Sequence, residues 1–294
     1  MKTTGIVLVQ NEEEFIGKCL NGIYDALDEI VVISDTKYSF TGEIITPDNT
    51  VNVINNFPDP KNKIVKIFGE FYDPNLAPLY NDRKQREIAR NSSRINPDIF
   101  FVADSDEIWK PEILKNVIKY ISDHFDEGNY FRAKAVLLFR KLYNGETLAV
   151  ALKNRNKFYF QNISIAYKPE LKPKFSRLVE GNIKEVHVPL SIGLLEHHSF
   201  IKDETRMYEK LMHWGHAHDK TEEYFEKWFK EKWLCADLNS KNVGLHNPSM
   251  KPRLRKYEPA MLEAIMSTNN NLKIENEITG FFRKHDKKKR FFLF

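Results

Sequence analysis

Cys19 and Cys235 are the only cysteines in 294 residues, which excludes a disulfide framework and makes a reducing, cytoplasmic setting the expectation. Long apolar runs are missing as well. The first, Gly5 to Val9, is too short for the core of a secretory leader, and no uncharged run approaches the ~20 residues of a membrane span. Charge of one sign is scarce: 45 Lys and Arg against 41 Asp and Glu leave a formal net of +4. That is a mixed surface, not the concentrated cationic field of a dedicated nucleic-acid binder. Internal repeats and low-complexity tracts are lacking too. What is present is 41% hydrophobic and 13% aromatic residues, enough to bury a full core in one large domain or one domain with an appendage.

The amino-terminal third alternates apolar runs with helical patterns. GIVLVQ (5–10) predicts a strand, and Asn11 with Glu14 predicts an N-cap and capping box for a helix. In that helix Phe15, Ile16, Leu20, Ile23, Tyr24 and Leu27 recur at helical spacing. EIVVISD (29–35) and KIVKIFG (63–69) predict two more strands, and the proline- and asparagine-rich stretch 38–62 reads as loop. A helix is expected at 81–93, broken by Asn96-Pro97, and DIFFVAD (98–104) is a fourth strand. This rhythm argues for a parallel sheet with helices packed on it, whose ligands bind at the carboxyl ends of the strands. Pro111-Glu112 opens a further amphipathic helix. YFRAKAVLLFRKLY (130–143) and TLAVALKNRNKFYF (147–160) flank Asn144-Gly145, a hairpin signal. KFSRLV (174–179) and the run 186–200 are strand-like, and from Lys202 to about 270 the pattern is helical.

The fourth strand ends in FFVADSDEIW (100–109), with three carboxylates in four positions. At the turn leaving the strand, Asp104 and Asp106 can converge, and two ionised carboxylates repel unless a cation sits between them. Hard oxygen ligands suit Mg²⁺ or Mn²⁺. The alternative is that they are turn and cap residues ahead of the helix at Pro111. Arg86 and Arg90, four apart on the expected helix, could donate to phosphates.

VLVQNEEEFIGKCL (7–20), EIVVISD (29–35) and IARNSSRINPDIFFVADSDE (88–107) together resemble the nucleotide-sugar half of the GT-A fold glycosyltransferases, family 2-like. The resemblance covers roughly 4–110, and 170–200 more loosely. It implies a GT-A type α/β fold: a mostly parallel, Rossmann-like sheet flanked by helices, with a helical C-terminal extension. The catalytic domain would be 1–201, divided into a nucleotide-sugar half (1–110) and an acceptor half (111–201), and the extension 202–294. It further implies an inverting, metal-dependent transferase of the hexosyltransferase type. Its donor would be a nucleotide-diphosphate sugar such as a UDP-sugar, and its acceptor a hydroxyl of a glycan or lipid-linked glycan. Mn²⁺ or Mg²⁺ would be held by Asp106, with Asp104 near the metal or the ribose. Asp35 would read the nucleobase or ribose and Arg90 would lie near the diphosphate. LLEHHSF (194–200) resembles the segment from which such enzymes bring a histidine to the metal, here His198. Where several relatives of this kind show Val-His-Glu, the chain has Val186-His187-Val188, so Glu180, Glu185 and His187 are the candidates for the catalytic base.

Other features have blander readings. His213, His216 and His218 lack zinc-ligand spacing and read as a helix end that could line the acceptor cleft. Trp214, Trp228 and Trp233 are expected in the core. The basic block 281–294 between phenylalanine pairs could lie on an anionic membrane surface, contact a nucleic-acid acceptor, or be a solvated end. Two rivals stand beside the transferase. One is a haloacid-dehalogenase-like phosphotransferase, opposed by the late position of the acidic motif, and the other is a non-catalytic membrane or nucleic-acid binding module.

Overall fold

A computed structural model describes residues 1–151, 158–175, 177–245 and 251–267. The expected alternation opens the chain: β1 (Thr3–Leu8), α1 (Ile16–Ile23), β2 (Glu29–Asp35), α2 (Thr50–Asn55), β3 (Ile64–Gly69), α3 (Pro78–Asn91) and β4 (Ile99–Asp104). β1 and β2 are buried along their whole length, as parallel strands covered on both faces must be. α1 buries Ile16, Cys19, Leu20 and Ile23, one face at helical spacing. It does not begin with the expected capping box. Asn11 adopts a left-handed φ of 50° and its amide donates to the Thr46 carbonyl at 2.9 Å, so the chain descends into a loop before the helix starts. α2 is a short helix inside the stretch expected to be loop.

After β4 come β5 (Glu107–Ile108), α4 (Pro111–Asp123), β6 (Tyr130–Lys141), β7 (Thr147–Ala151), β8 (Phe160–Tyr167), β9 (Lys172–Phe175), β10 (Leu178–Glu180), β11 (Glu185–His187) and β12 (Leu194–His197). α5 (Glu204–His213), α6 (Glu222–Trp228), β13 (Arg253–Tyr257) and α7 (Met261–Ser267) follow. The Asn144-Gly145 turn forms as expected, with Gly145 at φ 85° and a Leu142 N–H to Glu146 carbonyl bond of 2.8 Å joining β6 to β7.

The main sheet runs β13-β7-β6-β8-β4-β1-β2-β3. β3, β2, β1 and β4 are mutually parallel, while β8 is antiparallel to both β4 and β6. This is the expected sheet flanked by helices, a parallel amino-terminal half continued by a mixed half. Twelve-residue β6 organises the second half. One edge pairs with β8, and the other is shared by β11 opposite Tyr130–Arg132, β12 opposite Lys134–Leu137 and β7 opposite Leu138–Lys141. The region after Lys202 is helical as expected, with one addition: β13 returns to the sheet antiparallel to β7.

Three cores result. The first lies between the parallel strands, α1 and α4, and the third gathers Ile6, Val31 and Phe100 of those strands with Ala89 of α3. The second gathers Leu137, Phe139, Leu148 and Val150 of the sheet under Met207, Leu211, Phe225, Trp228 and Trp233. Trp233 Nε1 lies 3.0 Å from the Phe139 carbonyl and 3.1 Å from that of Phe200, which satisfies its polar edge inside this core. Among the described residues no helix is long and apolar enough to cross a membrane.

Candidate functional site

From β1 the chain steps outward to β2 and β3, then returns to place β4 on the other side of β1. The strand order therefore reverses between β1 and β4, and such a reversal opens a crevice at the carboxyl ends. Leu8 and Asp104 are in register there. The β1 loop brings Glu12 and the β4 turn brings Asp104, Asp106 and Glu107.

Asp104 Oδ1 accepts from Arg86 Nη2 at 2.8 Å, and its Oδ2 accepts from Arg177 Nε at 2.9 Å. Arg177 also pairs with Glu107, which is almost fully buried. Asp106 Oδ2 accepts from Lys210 Nζ at 2.6 Å, and the same ammonium lies 3.7 Å from Glu12. The other oxygen of Glu12 accepts from Lys202 at 2.6 Å. Four carboxylates are thus interleaved with four cations, which is how like charges can stand so close at a strand end.

The electrostatics follow from burial and these contacts. Burial alone would raise the Asp104 carboxyl, but Arg177 and Arg86 hold it well below the usual carboxylate range. Asp106 is likewise pulled down against burial by Lys210 and His197. Glu107 goes the other way: burial and the neighbouring Asp104 raise it despite Arg177. Lys210 is partly buried, which lowers its pKa, yet Asp106 and Glu12 hold its ammonium above the ordinary lysine value.

α3 explains how Arg86 arrives. Pro78 opens it at the first helical turn, and its buried face is polar: Asn81, Asp82, Gln85 and Arg86. Asp82 chelates Arg86 at 2.8 and 3.2 Å, fixing the guanidinium before it meets Asp104. Arg90, one turn on, faces elsewhere. It donates to the Pro169 and Leu171 carbonyls and lies over the rings of Phe100 and Tyr167, so it holds a turn of the second half. Of the two arginines, the structure brings Arg86 to the acidic cluster.

The other candidates are distributed unevenly. Asp35 is buried at the end of β2. Its Oδ1 accepts the Lys37 and Tyr38 N–H groups at 2.9 and 2.8 Å, and its Oδ2 accepts those of Phe71 and Tyr72 at 2.7 and 3.0 Å. It ties the loops after β2 and β3 together with both oxygens engaged. On β12 it is His197 whose Nε2 reaches to 3.5 Å from Asp106 Oδ1, with its Nδ1 on Gln161 at 2.7 Å. His198 turns to Glu196 at 3.1 Å, and Glu196 also accepts from Tyr257 of β13 at 2.6 Å. Glu185 and His187 sit opposite Tyr130 and Arg132, at the amino end of β6, whereas Glu196 sits opposite Val136. That is about 20 Å beyond Glu185 and about 13 Å beyond His187 along an extended strand. Glu185 is 3.6 Å from Arg132, and Glu180 is 3.8 Å from Arg83.

Several residues of the site carry only weak signals in the sequence. Glu12 stands in the NEEE run beside the expected capping pair, with nothing to single it out. Arg177 sits unmarked inside KFSRLV, and Lys202 and Lys210 belong to a segment whose helical pattern suggests an appendage.

No protein-family model matches this sequence, and no curated protein matches it. Solved structures do resemble it. S. aureus TarS 1–349 in complex with UDP is similar at 15% identity and TM-score 0.36, over 80% of this chain and 71% of that one. TarS 1–349 in complex with UDP-GlcNAc is similar at 20% identity and TM-score 0.33, over 47% and 35%. Glucosyl-3-phosphoglycerate synthase from Mycobacterium tuberculosis, in complex with Mn²⁺, UDP and phosphoglyceric acid, is similar at 14% identity and TM-score 0.28, over 46% and 43%. In a further match to TarS 1–349 this chain spans 36% of that chain's length.

The residues present do not make the expected metal cage. Both oxygens of Asp104 are held by arginines and one oxygen of Asp106 by Lys210; His198 gives its Nε2 to Glu196, while its Nδ1 is buried without a hydrogen-bond partner. His197 Nε2 lies 3.5 Å from the remaining Asp106 oxygen, and that carboxylate raises the imidazole's pKa against burial. Among the described residues no three His, Cys, Asp or Glu side chains are grouped to hold an ion.

Proposed function

We propose that the chain is a GT-A type glycosyltransferase that moves a sugar from a nucleotide-diphosphate donor, a UDP-sugar, to an acceptor hydroxyl. The observation that carries this reading is the buried set of interleaved charges at the strand-order reversal between β1 and β4. A nucleotide with a highly charged diphosphate suits that crevice because Arg86, Arg177, Lys202 and Lys210 are already desolvated and oriented there. Fixed donors of this kind stabilise charge that develops on a leaving group without reorganising.

In the transfer, the acceptor oxygen bonds to the anomeric carbon and the bond from that carbon to the diphosphate oxygen breaks. The electron pair stays on the diphosphate, and the hydroxyl proton passes to a base. Glu180, Glu185 and His187 remain the proposed proton acceptors. β11 lies towards the amino end of β6, away from the acidic cluster, so Glu185 or His187 would act only on a donor whose sugar extends to that end. Acceptors of the glycan or lipid-linked class remain part of the proposal. The 281–294 segment invoked for membrane or nucleic-acid contact lies outside the described residues.

The test is turnover of a nucleotide-sugar panel with the full chain, with and without chelator. Release of nucleoside diphosphate, lost by at least ~100-fold in Asp106→Asn with an unchanged circular dichroism spectrum, is the expected result. Release of inorganic phosphate from phosphomonoesters would favour a phosphotransferase, and inertness towards both substrate classes a binding module.

A further inference from the structure

We propose that the Lys210 ammonium, spanning Glu12 and Asp106 across the reversal between β1 and β4, is the resident counter-ion of the donor diphosphate, so that nucleotide binds without a divalent metal. This rests on the transferase reading and specifies its chemistry.

Lys210 is delivered by a helix that is fixed on three sides. α5 is capped by Asp203, which accepts the Arg206 N–H at 2.9 Å. It is anchored by Met207 and Leu211, both fully buried in the second core. At its far end His213 Nδ1 lies 3.2 Å from Thr41 Oγ1 of the β2 loop, and near its start Arg206 lies 3.4 Å from Asp48. The helix is held at both ends and along its apolar face. The remaining face carries Lys210 inward, to a position where the side chain is 17% exposed. A charge set on a rigid element is placed before ligand arrives.

Its contacts are those a bridging cation would make. The ammonium reaches one carboxylate from the loop after β1 and one from the turn after β4, at 3.7 and 2.6 Å. Lys202 backs it from behind Glu12 at 2.6 Å. An ammonium has three donors and no acceptor; one is given to Asp106 at 2.6 Å and the Glu12 oxygen at 3.7 Å lies beyond hydrogen-bond reach, so donors are left for a phosphate oxygen. Entry of a divalent ion between the same carboxylates would set it against Lys210 and Lys202, and like charges at such separations repel strongly away from bulk water.

Titration calorimetry of UDP against the full chain provides the test, run in EDTA and again with Mn²⁺. The wild type is expected to bind with dissociation constants within about threefold of each other, and Mn²⁺ alone to give no binding heat. Lys210→Met should weaken UDP binding in EDTA by about 30-fold or more and recover part of it on adding Mn²⁺, because two carboxylates then face each other unbridged. Lys210→Arg, which keeps the charge should the methionine variant fold poorly, should stay within about tenfold of wild type in EDTA. Loss of wild-type affinity in EDTA by about tenfold or more, or Mn²⁺ uptake by the free wild type, overturns the assignment of Lys210 while leaving the transferase reading standing. So does unchanged affinity in Lys210→Met. Absence of binding for every nucleoside diphosphate under both conditions overturns the transferase reading and this inference with it.

Discussion

A buried carboxylate is decided by what its oxygens accept, and at residue scale this separates Asp35 from Asp104. Asp35 accepts four backbone N–H groups from two loops. Asp35→Ala should therefore cost about 3 kcal/mol, read from urea unfolding, since charged hydrogen bonds of this kind are each worth about 1.5–3. A loss of donor affinity with unaltered stability would instead return Asp35 to the nucleotide. Asp104 makes its bonds to side-chain cations, and its carboxyl is held well below the ordinary range. A depressed acid contributes stability that is complete above its unfolded pKa of about 3.9 and is lost as the pH falls through the native value. Asp104→Asn should then lower stability at pH 7 by about 3 kcal/mol, with the difference from wild type shrinking as the pH is taken below about 3. Urea midpoints at the two pH values check this, and a constant difference would contradict it.

At the scale of elements, legibility tracks the source of the signal. β1, β2 and β4 are readable to within a residue or two because buried parallel strands are continuous apolar runs, and β3 is equally readable although only Ile64 of it is buried. α3 is readable but not its meaning: its buried face is polar, so periodicity does not show that Arg86 points inward while Arg90 serves a turn. His197 and His198 alternate in direction on a strand, and sequence does not say which face meets Asp106. The capping box at Asn11 fails because the Asn11 side chain is committed to the Thr46 loop, a contact of distant sequence origin. Close approach between elements is also invisible in a linear reading. Gly22 of α1 lies so near the turn after β5 that an added Cβ would meet the Trp109 carbonyl oxygen at 2.4 Å. Gly22→Ala should destabilise the protein by about 2 kcal/mol, since backbone on both sides leaves nothing flexible to yield. Thermal and urea melts measure it, and wild-type values would mean that α1 can shift away from the turn.

For the molecule as a whole, the region after residue 201 is part of the fold and the site. It supplies Lys202 and Lys210, most of the second core, and β13, which pairs with β7 from Arg253–Ala151 to Tyr257–Thr147. A fragment of residues 1–201 would expose Leu137, Phe139, Leu148 and Val150 along an open β7 edge, the kind of surface that aggregates. Size-exclusion chromatography and near-ultraviolet circular dichroism should show a self-associated species without fixed packing, and a monodisperse, cooperatively melting fragment would refute this. From sequence the region looks like an appendage to the catalytic domain, because helical periodicity reports an amphipathic face and not the surface that receives it.

The spread of the four cations along the chain has a consequence for biosynthesis. Arg86 is made before the acidic turn, Arg177 well after it, and Lys202 and Lys210 later still. A nascent chain halted before Arg177 would carry Glu12, Asp106 and Glu107 without their native side-chain cations. Water must shelter those anions until α5 leaves the ribosome. The crevice therefore closes electrostatically only once α5 has been made, and its acidic half stays hydrated until the lysines arrive to dry it.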